Sequence, residues 1–180
     1  MKKLVLLLII ASVAVAARAQ DEEEPKRGFD KEKLFFGGNF GLSFGSYTLI
    51  NVSPQAGYRF NKHVAAGAGI NFIYTSSKYF GFRENYGVAG LNIFGRFYPI
   101  EQIFIQAQPE MNYTWGKQKY DGGNEVKLDG KFVPSLLAGA GVAIPMGRNG
   151  AFLIMVQYDV IQNSRSPYGN NPFFSVGFNF

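Results

Sequence analysis

The sequence predicts an all-β chain, an eight-stranded antiparallel up-and-down transmembrane β-barrel. Three observations predict it. From Leu34 onward, apolar and polar residues alternate one by one through eight segments. One face of that alternation is uniformly greasy, while the other carries glycine, amides and charges. The connections between segments alternate between a short set and a mostly longer set.

The chain begins with a targeting segment. Lys2 and Lys3 form a positive start, Leu4 to Ala16 a short apolar core, and Ala17-Arg18-Ala19 a small-x-small cleavage pattern. The apolar run is too short to be a comfortable membrane-spanning helix. Residues 1–19 therefore read as a cleaved signal peptide, and no cysteine follows to take a lipid. Cleavage removes the cations Lys2, Lys3 and Arg18, so the formal net charge falls from +5 to +2. The high isoelectric point thus owes much to the leader, and a nucleic-acid partner is excluded. Residues 20–33 form a charged periplasmic segment, and residues 34–180 the barrel. The charged segment reads as a solvated linker or as a contact for a periplasmic partner.

Each strand is justified in turn by its period of two. In the first, Leu34, Phe36, Phe40, Leu42 and Phe44 point one way, and Gly37, Asn39, Gly41, Ser43 and Gly45 the other. The second turns out Ile50, Val52, Pro54, Ala56, Tyr58 and Phe60, and turns in Asn51, Ser53, Gln55, Gly57 and Arg59. The third alternates Val64, Ala66, Ala68, Ile70, Phe72 and Tyr74 with Ala65, Gly67, Gly69, Asn71 and Ile73. The fourth places Ala89, Leu91, Ile93 and Phe97 against Gly90, Asn92, Phe94 and Arg96. The fifth is clearest, with Ile103, Ile105, Ala107, Pro109, Met111, Tyr113 and Trp115 against Gln106, Gln108, Glu110, Asn112 and Thr114. The sixth sets Phe132, Pro134, Leu136, Ala138, Ala140, Val142 and Ile144 against Ser135, Gly139, Gly141 and Ala143. The seventh sets Phe152, Ile154, Val156, Tyr158 and Val160 against Met155, Gln157 and Asp159. The eighth sets Phe174, Val176, Phe178 and Phe180 against Ser175, Gly177 and Asn179.

The proposed outer set contains no Asp, Glu, Lys, Arg, Asn or Gln. A soluble sheet would bury its large apolar residues and expose its charges. Small polar residues cannot make a dry core, but they can fill a narrow lumen while the greasy face meets lipid. Closure satisfies the backbone where water is absent. The near-zero mean hydropathy reflects this one-by-one alternation.

Short turns are expected at Asn61-Lys62, Pro99 to Gln102 and Met146 to Gly150, and a tight one near Ser46-Tyr47. Longer loops are expected at Ser76 to Asn85, Gly116 to Lys131 and Gln162 to Asn171. In such barrels the short turns face the periplasm and the long loops face outward. An even strand count then leaves both termini periplasmic. Tyr47, Tyr74, Tyr113, Trp115 and Tyr158 form one aromatic girdle, and Tyr58, Phe60, Phe97, Phe152 and Phe180 the other.

These features resemble the small outer-membrane β-barrel superfamily that includes the OmpA transmembrane domain and OmpX. The resemblance spans Leu34 to Phe180. It rests most on the strand FSVGFNF, Phe174 to Phe180, and more weakly on Gly95-Arg96-Phe97-Tyr98 before a turn. It implies an outer-membrane location. It also implies that Phe174, Val176, Phe178 and Phe180 are read as an assembly signal by the barrel assembly machinery. The chain differs from OmpA in lacking a peptidoglycan-binding domain, so no wall-anchoring role is implied.

No catalytic residue, cofactor or metal is expected, and the chain does not read as an enzyme. The chain has no cysteine, and its lone histidine, His63, falls at a periplasmic turn without serine or acid partners at useful spacing. Gly67-Ala68-Gly69 and Gly139-Ala140-Gly141 lie inside strands and read as lumen-packing glycines rather than phosphate loops. Arg59, Arg96, Glu110 and Asp159 form a lumen charge cluster. It reads as a neutral plug of ion pairs and amides, or else as a selectivity path, in a lumen barely wide enough for side chains.

Three functions remain open. The first is a structural or surface-interaction barrel, with a protein partner at its outer loops or wall or as part of a larger assembly. The second is a narrow channel or conduit for small or apolar solutes, and the third, an enzyme, is nearly excluded. Tyr79, Phe80, Phe82, Tyr120 and Tyr168 are the candidate exposed aromatic contacts of the outer loops.

Overall fold

The computed structural model describes residues 30–43, 47–147 and 150–180. The leader and most of the charged segment lie outside the described residues, as do Phe44 and Gly45. Lys31–Lys33 forms one 3-10 turn. Eight strands follow: β1 Leu34–Ser43, β2 Tyr47–Arg59, β3 Val64–Tyr79, β4 Phe82–Ile100, β5 Ile103–Tyr120, β6 Glu125–Met146, β7 Gly150–Asp159 and β8 Phe173–Asn179. Each pairs antiparallel with the next, and β8 returns to β1 to close the barrel.

The proposed alternation matches the burial of the wall. Leu91, Ile93, Ile105, Met111 and Phe132 are exposed on the outer face. Asn92, Gln106, Gln108, Glu110 and Asn112, each one step along from an outward residue, are buried in the lumen. A one-residue slip would turn every amide outward and every apolar residue inward, so the pattern fixes the register. The apolar outside and polar inside are the arrangement of a transmembrane barrel.

Glycine makes room at the narrow end. A Cβ on Gly67 would come within 2.6 Å of the Phe94 ring, and one on Gly141 within 2.8 Å of the Phe104 ring. These glycines let Phe94 and Phe104 fill the lumen together with Phe35, Tyr98, Leu153 and Met155. They are the packing glycines the strand patterns imply. The turn after β2 is held by Asn61, whose side-chain oxygen accepts from the His63 and Val64 amides at 2.8 Å each. His63 then meets β4: its Nδ1 lies 2.8 Å from the Tyr98 carbonyl oxygen, and the Tyr98 amide donates to its carbonyl at 2.7 Å.

Two of the three expected long loops are strands instead. Ser76 to Asn85 forms the end of a β3–β4 hairpin. Ser76 pairs with Asn85, Ser77 with Glu84, Lys78 with Arg83 and Tyr79 with Phe82. Only Phe80 and Gly81 turn, with Gly81 at φ 86°, a conformation glycine adopts freely. Gly116 to Lys131 likewise continues β5 and β6 past an irregularity between Thr114 and Gly116, with Lys117 opposite Lys127 and Lys119 opposite Glu125. Its turn is only Asp121 to Asn124. The physical reason is that these segments rise past the apolar band. Both faces are then polar, so the contrast that marks a strand fades while backbone pairing continues. Only the connection from β7 to β8 remains irregular.

Strand lengths are accordingly unequal. β3, β4, β5 and β6 have 16, 19, 18 and 22 residues, against 10, 10 and 7 for β1, β7 and β8. About 9–11 residues suffice to cross a bilayer. One side of the barrel therefore stands tall and the other ends near its rim.

Ile105 is exposed on the outer face, so Ile105→Arg should destabilise the barrel in lipid vesicles by about 2–4 kcal/mol. Urea titration in vesicles measures this. A change within about 0.5 kcal/mol, as for an ordinary water-facing position, would contradict lipid contact there.

Candidate functional site: a plugged lumen under an inturned loop

The lumen is filled in three levels. At the bottom sit the rings of Phe35, Phe94, Tyr98 and Phe104, with Tyr98 and Phe104 centroids 5.5 Å apart. Both arginines rest on this level. The Arg59 guanidinium lies 4.9 Å from the Tyr98 ring centre, and that of Arg96 lies 4.6 Å from Phe94 and 5.5 Å from Phe104. Cation–π attraction offsets part of the cost of taking Arg96 out of water.

The middle level is a chain of amides. Arg96 Nε donates to Gln106 Oε1 at 2.6 Å and its Nη2 to Gln55 Oε1 at 3.2 Å. Gln106 donates to Gln108 and Gln108 to Glu110, each at 2.7 Å. Asn112 donates to the other oxygen of Glu110 at 2.8 Å. Asn71 and Asn92 join from the facing strands: Asn92 donates to Asn71 at 2.6 Å and Asn71 to Asn112 at 3.2 Å. A glutamine or asparagine both donates and accepts, so each member of such a row can bond to the next on either side.

The expected ion pairs do not form. Arg96 lies opposite Gln106 and Glu110 opposite Asn92. Four residues along β4 separate the two levels, about 13 Å at roughly 3.3 Å per residue. Lys117 pairs with Glu125 at 3.7 Å, but out on the hairpin rather than in the lumen. The four predicted charges do face the lumen, but the cations sit low, the anions sit high, and amides join Arg96 to Glu110.

The top level comes from the β7–β8 connection. Asp159 is fully buried and accepts from the Leu136 and Ile161 amides at 3.1 Å each. Its second oxygen accepts from the Ser166 hydroxyl. Tyr168 donates its hydroxyl to Glu110 at 2.7 Å, and its ring stacks on Phe173 at 4.9 Å. Tyr86 donates to the Arg165 carbonyl at 2.8 Å. The connection is thus pulled inward and caps the amide row. Tyr168 is not one of the outward aromatic contacts, because its polar end completes the lumen network. Glu110 and Asp159 were legible as inward residues, but their loop partners were not, since an irregular loop has no period to read.

The other four aromatics do gather outside. Tyr79 stacks on Phe82 at 5.0 Å, Phe82 meets Tyr120 at 5.7 Å, and Phe80 is fully exposed at the turn. The two hairpins join there: Phe82 is paired with Tyr120, and the Asp121 amide donates to the Gly81 carbonyl at 3.0 Å. Down the length of β8 and to the residue after it, Phe174, Val176, Phe178 and Phe180 all face outward. The Phe180 and Phe36 backbones exchange hydrogen bonds of 2.8 and 2.9 Å and so help shut the ring.

No family model matches the chain, and no curated protein matches it. Among solved structures it is similar to the crystal structure of Neisserial surface protein A. Identity is 15%, the match covers 81% of this chain and 92% of that one, and the TM-score is 0.44.

Tyr168→Phe removes one anchor of the loop while leaving the ring stack. Trypsin cleavage after Arg165 should quicken by about tenfold, as expected for losing about 1.4 kcal/mol of loop anchoring. The barrel itself should stay folded. Unchanged cleavage would mean that this hydrogen bond does not hold the loop.

Proposed function

We propose that this chain is an integral outer-membrane barrel with periplasmic termini. In this reading it is non-catalytic and closed to through-flow, and it presents a raised aromatic ridge to a protein partner. It serves as a surface-interaction element or as a subunit of a larger outer-membrane assembly. The observation that carries the reading is the ridge of Tyr79, Phe80, Phe82 and Tyr120 at the joined hairpin tips. Clustered exposed aromatics mark contact surfaces, because a rigid ring buries large area at small entropic cost. Lys78, Arg83 and Lys119 stand beside it with Asp121 and Glu125, so charges of both signs border the apolar patch.

The membrane part of the reading is supported by the apolar outer band and by paired girdles. Tyr113 packs on Phe132 at 5.1 Å at one rim, and Tyr58 on Phe60 at 5.3 Å at the other. The outer membrane is favoured by the leader and by the outward row Phe174, Val176, Phe178 and Phe180, which suits recognition by the barrel assembly machinery. A non-catalytic role fits the setting of His63, whose ring is engaged with the Tyr98 carbonyl at a turn.

The ridge is tested by trimming the β5–β6 hairpin. Joining Lys117 to Lys127 through Asn-Gly should leave a heat-modifiable barrel and abolish co-purification of the partner in mild detergent. Undiminished co-purification would remove the ridge from the reading.

A conduit is the competing function, and the amide plug weighs against it. The protein should give no channel steps in a planar bilayer. Sustained ion conductance would favour the conduit.

A further inference from the structure

The wall is not equally closed all the way up. β1 and β8 pair through Gly37 with Asn179, Gly38 with Phe178 and Asn39 with Gly177, and then stop. The same register would go on to join Phe40 with Val176 and finish at Ser43 with Phe173. Both strands continue across that stretch, each still paired on its other side: β1 with β2 up to Ser43–Leu49, and β8 with β7 up to Phe173–Gln157. The sheet therefore forks here rather than ending.

A chamber of about 530 Å³ lies at the fork, well within the range of sites for small organic molecules. Its lining mixes the two faces of the wall. Phe40, Phe174 and Val176 face outward, whereas Ile73 faces the lumen. A chamber inside an unbroken wall would touch inward residues only, so this one opens sideways at the fork. Ser166 to Tyr168, the inturned loop, form part of its wall.

The lining has a direction. Apolar surface from Phe40, Phe174 and Val176 borders the fork. Higher up, Ser77 and Glu84 face each other across β3 and β4. Glu84 is a carboxylate in the lining, and no Lys, Arg or His accompanies it there. Well below Glu84, Tyr168 links the chamber to Glu110 and Ser166 links it to Asp159. Asn39 is also in the lining, and its amide oxygen, packed against Gly177, has no hydrogen-bond partner.

We propose that this chamber binds a single-chain amphiphile with a cationic or neutral head, which enters sideways from the membrane through the fork between β1 and β8. The tail lies against Phe40, Phe174 and Val176, and the head lies up toward Glu84. An anionic head at that end is disfavoured by the Glu84 carboxylate. The proposal rests on the barrel being embedded in a membrane, but not on the aromatic ridge.

The test uses the full mature barrel in phospholipid nanodiscs, with insertion confirmed first by heat-modifiable migration. Failure to insert would count against the membrane reading itself and so be distinguishable. Radiolabelled dodecyltrimethylammonium is titrated, with empty nanodiscs subtracted. Saturable binding at one per barrel is expected, with dodecyl sulfate at least tenfold weaker. Ser175→Trp, which fills the chamber, should weaken binding at least tenfold, while Ala107→Trp on the lipid-facing wall of β5 should leave it unchanged. Glu84→Gln should erase the preference for the cation. Phe40→Cys with Val176→Cys should block uptake when oxidised and restore it when reduced. Uptake no greater than in empty nanodiscs, or equal binding by Ser175→Trp and Ala107→Trp, overturns the proposal. So does disulfide capture of a second copy by Phe40→Cys alone, which would assign the fork to strand pairing between chains.

Discussion

The polar side chains that the wall turns inward must find partners within a space eight strands wide, and among the described residues Asn39, Tyr98, Gln157 and Asn179 each keep a buried atom without one. That constraint governs the rest of the structure. The outside is apolar because it was freed of polar groups, and those groups were moved into the lumen. There, an unpartnered amide or charge would cost about 1–3 kcal/mol or more. The solution is a continuous hydrogen-bonded row from Arg96 through Gln106, Gln108 and Glu110 to Asn112. Aromatic rings fill the space below it, and a loop tyrosine finishes it above. Removing an interior member would leave its neighbours on both sides short of a partner, so the row acts as a unit.

The same constraint explains the separation of charge. Arg59 and Arg96 flank one level, both opposite Ala65. Two like charges so close would repel, and each is instead spread over aromatic faces. Glu110 and Asp159 are held by donors: amides, a tyrosine, a serine and two backbone N–H groups. The lumen thus runs from cationic at the end bearing the chain termini to anionic at the loop end, and amide dipoles bridge the difference.

Much of this was legible in the sequence, and the illegible parts share a cause. The inward and outward sets of β5 are legible residue by residue from Ile103 to Trp115, because lipid on one side and a packed lumen on the other impose the sharpest contrast. Above the apolar band that contrast vanishes. Ser76, Lys78 and Glu84 look like loop residues, yet they lie in register across a hairpin. The fate of Arg96 was illegible for a different reason. Its partner depends on the stagger between strands, which a single strand's pattern does not encode. Tyr168 reads as an outer contact in the sequence because loop polarity says nothing about which way a loop folds.

The exchange of hydrogen bonds between Phe36 and Phe180 also bears on how fast such a ring can form. The two residues lie 144 positions apart, while every other strand pair joins neighbours in sequence. Seven hairpins can grow by local steps, but the last seam must bring together the far ends of the sheet. Loop-closure entropy makes that the slow event. Until it occurs, β1 and β8 are two bare edges, open to pairing with other chains. The closing ladder is also among the shortest in the barrel, so little reward accrues until the ends have met. A chain built this way gains from a catalyst that shields both edges and delivers them to each other.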